Sequence, residues 1–201
     1  MSLIFTNIKQ LMKPSYIFLA PGFEEIEALA TVDVLRRCGM ELHTVSIGNT
    51  HHVEGAHGIS VNADKILEEI DIHNADWLIL PGGMPGATNL AQCDTLTSAL
   101  LSHYRAGHNI AAICASPAVV LAPLGILDNK NATCYPGFES QAPKARMTGR
   151  EVEIAHNVIT ANGPASTLLF AFAIATATVG ADKAKEVSNG MLYTNERPPE
   201  F

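Results

Sequence analysis

Asn109-Ile110-Ala111-Ala112-Ile113-Cys114-Ala115-Ser116-Pro117-Ala118 is the stretch whose reading decides the fold. Asn109 to Ile113 is a short apolar run and suits a buried strand. Cys114 follows, flanked by small residues. Ser116 is a good N-cap and Pro117 fits a first helical position, so Pro117 to Leu124 reads as a helix. Strand, sharp turn, helix is the pattern of a nucleophile elbow. A thiol at such a turn meets backbone N–H groups and the positive end of a helix dipole, which favour thiolate. The same ten residues also suit a buried core cysteine, because free cysteines are among the most buried residues.

Working outward, the elbow sits in a chain of strands alternating with helices. Tyr16 to Ala20 is a strand run ended by Pro21-Gly22, and Phe23 to Cys38 is a helix with Glu24 and Glu25 in its first turn. Glu41 to Ile47 is a strand, and His52-Val53 and Gly58 to Asn62 form a short pair. Asp64 to Ile70 is a short helix or turn. Asp76 to Leu80 is a strand running into Pro81-Gly82-Gly83. Thr95 to Arg105 is a helix. Asn131 to Tyr135 is a strand. Glu151 to His156 and Val158 to Ala161 are strand runs about an Asn157 turn. Ser166 to Val179 and Ala181 to Leu192 are helices. Alternation of this kind predicts an α/β sandwich with a mainly parallel central sheet. Ligands of such sheets collect at the carboxyl ends of the strands, where Pro21-Gly22, Pro81-Gly82-Gly83 and Cys114 all fall.

The bulk properties set limits. The chain has 201 residues, 47% of them hydrophobic, enough for one domain with a sizeable core. Residues 15–193 form that domain, with 1–14 as an N-terminal extension and 194–201 as a tail. A net charge of −7 without a Lys/Arg run argues against nucleic acid as a partner. No apolar run is long enough to span a membrane, and no export signal is recognisable, so the expected location is cytoplasmic. Cys38, Cys93, Cys114 and Cys134 show neither CxxC nor zinc-finger spacing, and free thiols are expected. His51, His52 and His57 cluster in sequence but lack carboxylate or cysteine support, so no metal and no cofactor are expected.

Three motifs, Ala20-Pro21-Gly22-Phe23-Glu24-Glu25-Ile26-Glu27, Leu80-Pro81-Gly82-Gly83 and Ala111-Ala112-Ile113-Cys114-Ala115, resemble the ThiJ/PfpI superfamily. Within it they are most similar to the ThiJ-like branch that includes the Parkinsonism-associated protein. The resemblance runs from about Tyr16 to Tyr193. It implies a flavodoxin-like three-layer sandwich, a homodimer and a reactive cysteine. Residue by residue, it makes Cys114 the nucleophile and Glu27 a protonated carboxyl beside it. Gly83 and Ala115 match oxyanion-hole donors, and Gly163-Pro164 matches a loop at the pocket mouth. Tyr135 falls at or next to a position where many members carry histidine. A tyrosine hydroxyl, with an ordinary pKa of about 10, orients better than it accepts protons. Ala115 after the cysteine removes the Cys-His pair of the protease-like branch. The His-x-Glu of glutamine amidotransferases is absent as well, so neither activity is expected.

The resemblance implies a cysteine-dependent enzyme for reactive α-oxoaldehydes or their glycation adducts, of glyoxalase or deglycase type. Cys114 would form a hemithioacetal and Glu27 would shuttle the proton. The alternative is a redox-sensing or chaperone-like stress protein that uses oxidation of Cys114.

Overall fold

The structure, a computed structural model, describes residues 13–193. The expected tail 194–201 lies outside the described residues, as does the extension up to residue 12. Pro14, assigned to that extension, already belongs to the fold: its carbonyl accepts the Asp76 N–H at 2.8 Å.

The elements run β1 (Ser15–Leu19), α1 (Glu25–Arg37), β2 (Leu42–Ser46), β3 (His52–Glu54), β4 (Ser60–Asn62), β5 (Lys65–Ile66) and β6 (Trp77–Leu80). Then come α2 (Gly86–Ala91), α3 (Asp94–Arg105), β7 (Asn109–Ile113), β8 (Asn131–Ala132) and β9 (Arg146–Met147). The chain closes with β10 (Val152–Ala155), β11 (Val158–Ala161), α4 (Thr167–Val179) and α5 (Ala181–Gly190). Seven strands form one sheet in the order β10-β11-β7-β6-β1-β2-β5. Every pairing in it is parallel except the β10–β11 hairpin.

The apolar strand runs have this composition because both faces of the sheet are covered. Alternate residues of β1 divide between two cores. Ile17 and Leu19 pack with Ala28, Leu35, Phe170 and Ile174 from α1 and α4. Tyr16 and Phe18 pack with Leu90, Leu96 and Leu100 from α2 and α3. This is the expected three-layer, flavodoxin-like α/β sandwich with a mainly parallel central sheet.

Four local expectations are corrected. Asp64 to Ile70 is not simply a helix or turn. Lys65-Ile66 adds an edge strand to the sheet, and a 3₁₀ turn at Leu67–Glu69 follows. The helix α2 carries no strong sequence period, and glycine and proline at its start hide it. Asn131 to Tyr135 is a strand only over Asn131-Ala132, paired with β9 and not with the main sheet. Finally, Pro117 does not open an α-helix reaching Leu124: residues Pro117–Leu121 make a single π turn, closed by Ala122 N–H to Pro117 O at 3.0 Å.

Candidate active site

The carboxyl ends of β1, β6 and β7 meet at one edge of the sheet, and the three sequence motifs arrive there together. β7 delivers Cys114 into a left-handed backbone conformation, φ +65°. A non-glycine residue held there is uncommon and marks an over-determined turn. Ser116 supplies part of the constraint. It does not cap a helix, as its sequence position suggests. Its buried hydroxyl instead donates to Pro81 O at 2.5 Å and ties the elbow to the β6 loop.

Gly82 and Gly83 make that loop possible. A Cβ on Gly82 would lie 2.6 Å from Cys114 Cβ and 2.8 Å from Glu27 Oε2. Gly83 has φ +87°, and a Cβ there would strike the backbone of residues 22–24. Bare backbone therefore lines one side of the thiol. The Gly83 and Ala115 N–H groups both hydrogen bond to Cys114 and favour a negative sulfur.

Glu27 comes from the first turn of α1 and is fully buried. Its Oε2 accepts the Gly82 N–H at 2.7 Å, while Oε1 has no well-formed hydrogen bond among the described residues. Burial drives its pKa up to about 7, against the opposing pull of the Gly82 N–H and the Cys114 thiol. Burial, then the Glu27 charge, pushes the Cys114 thiol up to about 12, against the two N–H groups. The expectation that backbone N–H groups and a helix dipole at the turn favour thiolate is thus corrected: burial and the Glu27 charge outweigh them. One π turn provides little dipole, and an ionised carboxylate beside the sulfur opposes ionisation. The two groups titrate as a couple. Transfer of the thiol proton to Glu27 leaves the net charge unchanged, removes the like charge, and gives the sulfur a hydrogen-bond donor.

A cavity of about 230 Å³ opens onto the thiol. Of the residues singled out in the sequence, Cys114, Gly83, Ala115, Tyr135 and Pro164 line it. Gly163 does not line the cavity but packs beneath Tyr135, where a Cβ would sit 3.3 Å from Cδ2. Pro164 opens a 3₁₀ turn that leads into α4, so this segment is both pocket wall and helix start. Tyr135 donates its backbone N–H to Cys114 O at 2.8 Å, and its ring meets Phe138 edge-on at 6.4 Å. Glu24, Met84 and Phe138 complete the lining. The sequence reading left Glu24 as an ordinary solvated helix glutamate and did not single out Met84 or Phe138. Only the fold brings the last two to Cys114. A larger groove, about 1170 Å³, lies between β10 and α4, away from this chemistry.

His57 was expected to lack carboxylate support, and the fold supplies it. Its Nδ1 lies 2.7 Å from Glu25 Oε2 and 3.7 Å from Glu24 Oε2, and its backbone N–H donates to Glu25 Oε1 at 2.7 Å. The hydrogen bond to Glu25, then the charges of Glu24 and Glu25, raise the His57 pKa. Burial pushes the Glu25 carboxyl up, but its bonds to His57 outweigh this and hold it low. These three side chains could offer a cation one donor atom each, all within 4.8 Å of one another. Their mutual pairing already accounts for the arrangement.

Comparison with known proteins gives a consistent answer. The sequence profile of the DJ-1/PfpI family matches residues 14–177. The chain is 36% identical to Protein DJ-1 homolog B of Arabidopsis thaliana over 190 residues, which are 94% of this chain but 43% of that protein. The chain thus spans about half the length of its Arabidopsis relatives. It is 32% identical to the glutathione-independent glyoxalase DJR-1.2 of Caenorhabditis elegans over 87% of this chain and 94% of that one. The structure of oxidized Toxoplasma gondii DJ-1 superposes with a TM-score of 0.85 at 35% identity, covering 90% of this chain and 98% of the other. Drosophila melanogaster DJ-1beta superposes with a TM-score of 0.86 at 31% identity, covering 92% and 100%. With the elbow cysteine and the glycine loop at the pocket and the buried glutamate bonded to that loop, the chain belongs to the DJ-1/PfpI family.

Proposed function

We propose that the protein is a cysteine-dependent enzyme for α-oxoaldehydes, converting methylglyoxal to lactate without glutathione, with glycation adducts as related substrates. The observation that carries this reading is the couple of Cys114 and the fully buried Glu27, facing the Gly83 and Ala115 N–H groups. Cys114 passes its proton to Glu27, and the sulfur bonds to the aldehyde carbon. The carbonyl electron pair moves to oxygen, which the two N–H groups hold. Glu27 returns its proton to that oxygen, giving the neutral hemithioacetal, and as a carboxylate then carries a proton from the former aldehyde carbon to the neighbouring carbonyl carbon by way of an enediol. The aldehyde carbon is oxidised and the ketone carbon reduced, so no external electron carrier is needed. Water hydrolyses the resulting thioester and frees Cys114. Tyr135 orients the substrate at the wall.

The protein acts as a homodimer in this reading. Support comes from α1, which leaves Ile26 and Leu29 exposed at 56% and 38% while its other face is buried. Such residues suit an isologous contact. Four free cysteines fit a reducing, cytoplasmic location.

The test is lactate formation from methylglyoxal by wild type, Cys114→Ser and Glu27→Gln. Turnover by wild type with loss in both variants supports the enzyme. The pair of N–H donors also favours a second reading, because it suits the oxygens of an oxidised Cys114. Oxidation of Cys114 by peroxide without any lactate would replace the enzyme with a redox sensor.

A further inference from the structure

We propose that Thr160 on β11 is a positioning residue of the Cys114 pocket: its buried hydroxyl sets residues 133–138, the segment that presents Tyr135 and Phe138 to the thiol. The kinetic part of this rests on the reading above, in which Tyr135 orients an oxoaldehyde.

The segment lies outside the main ladder. β8 ends at Ala132 and pairs with β9, and the chain then runs free of the sheet until Tyr135 and Phe138 reach the cavity. Two backbone N–H groups tie it back. Thr133 donates to Thr160 Oγ1 at 3.0 Å, and Tyr135 donates to Cys114 O at 2.8 Å. Both threonines are 1% exposed, so water cannot replace the first bond. Cys134, between the two donors, packs with Ala118 and Ala142. That contact is non-directional and does not fix where the neighbouring ring points. Other bonds of the segment are local, such as Phe138 N–H to Tyr135 O at 3.1 Å. β11 is well placed to give the direction. Thr160 pairs in register with Ala112, and the next residue, Ala161, accepts the Cys114 N–H at 2.9 Å. One strand thus locates both the nucleophile and the wall that faces it. Valine suits a buried strand as well as threonine does, so the hydroxyl is what this position adds, as an acceptor. Thr133 contributes its N–H alone, since its own hydroxyl has no well-formed hydrogen bond among the described residues.

Amide hydrogen exchange followed by NMR tests this without turnover. In Thr160→Val the Thr133 amide loses its acceptor. A positioning role requires more: the Tyr135 amide, whose acceptor is untouched, should also exchange about tenfold faster, while the amides of β7 stay protected. Thr160→Ser keeps the hydroxyl and should restore both. Thr133→Val keeps the N–H and should match wild type at Tyr135. An unchanged Tyr135 amide in Thr160→Val overturns the proposal, as does a Thr160→Ser protein that exchanges like Thr160→Val. With methylglyoxal, Thr160→Val should raise KM more than it lowers kcat, because Cys114 and Glu27 keep their places. In a Tyr135→Ala background the same substitution should cost less than about twofold, since the ring it positions is gone. A loss of full size there overturns the proposal. If wild type forms no lactate, the enzymatic reading fails, while exchange at Tyr135 still decides the positioning role. Should Thr160→Val not fold, Thr160→Ala takes its place. Unfolding of both beside a folded Thr160→Ser would make the hydroxyl a requirement of the fold and overturn the positioning role.

Discussion

Gly82 gives its backbone N–H to Glu27 Oε2 at 2.7 Å, and it is also the residue whose missing side chain makes room for Cys114. One glycine thus fixes the acid and admits the nucleophile. Gly82→Ala forces a methyl group to within 2.6 Å of Cys114 Cβ. The expected outcome is a loss of about 1–3 kcal/mol in denaturant unfolding, as for an overpacked core, together with loss of methylglyoxal turnover. A variant with wild-type stability and activity would show that the loop relaxes freely.

Glu27→Gln separates the chemistry of the couple from its electrostatics. Glutamine retains an acceptor for Gly82 but carries no negative charge, so the like charge that raises the Cys114 thiol disappears. Alkylation of Cys114 near pH 8 should therefore accelerate, whereas lactate formation should fall by on the order of a hundredfold or more for want of a proton carrier. Slower alkylation than wild type would contradict the assigned direction.

The same carboxyl leaves a mark on stability. Its folded pKa is raised to about 7 from 4.5, so between these values the folded state binds more protons than the unfolded state. Stability is lost as pH rises through that window, by on the order of 3 kcal/mol for a fully buried group. In Glu27→Gln that loss should vanish, so the variant should gain Tm relative to wild type on going from acid to mildly alkaline buffer. Parallel Tm curves for the two proteins would refute this.

His103 produces the opposite trend. It is buried in α3, neither ring nitrogen has a well-formed hydrogen bond, and His108 lies at a ring-centroid distance of 4.8 Å. Burial, then His108, and more weakly Lys13, depress its pKa to about 4 from 6.5, against the backbone at Asp76 and Asn109. Its contribution is complete above the unfolded value. It is lost as pH falls from 6.5 toward 4, because the unfolded state protonates first. His103→Leu should flatten this acid limb of the Tm profile. An unchanged acid limb would show that other groups dominate it.

Tyr135→Phe removes only a hydroxyl from a half-exposed wall, and kcat/KM for methylglyoxal should change by less than about tenfold, short of a full acid–base contribution. Tyr135→His should raise the rate where the imidazole reaches the substrate. A hundredfold loss in Tyr135→Phe would move the hydroxyl into the proton-transfer path.

Light scattering at micromolar concentration should give twice the monomer mass, and Ile26→Asp should shift it toward monomer. A wild-type monomer would remove α1 as an interface.

Much of this was legible in the chain before folding. The apolar runs at Tyr16–Ala20, Asp76–Leu80 and Asn109–Ile113 required buried strands, because only a sheet covered on both faces uses such runs. Small residues around Cys114 and the paired glycines at 82 and 83 marked backbone that must approach closely. The motifs, through their resemblance, brought Glu27 forward. Local sequence could not determine partners separated by tens of residues. The pairing of His57 with Glu24 and Glu25, and the placement of Met84 and Phe138 in the pocket wall, arise only when loops from different strands converge. The ionisation of the couple was likewise undetermined. Dipole arguments from sequence favoured thiolate, but a pKa depends on burial and on which charge lies nearest, and both are properties of the assembled site. The sequence therefore marked which residues to bring together, and only the tertiary structure, by burying Glu27 against Cys114, decided that both hold their protons more tightly than usual.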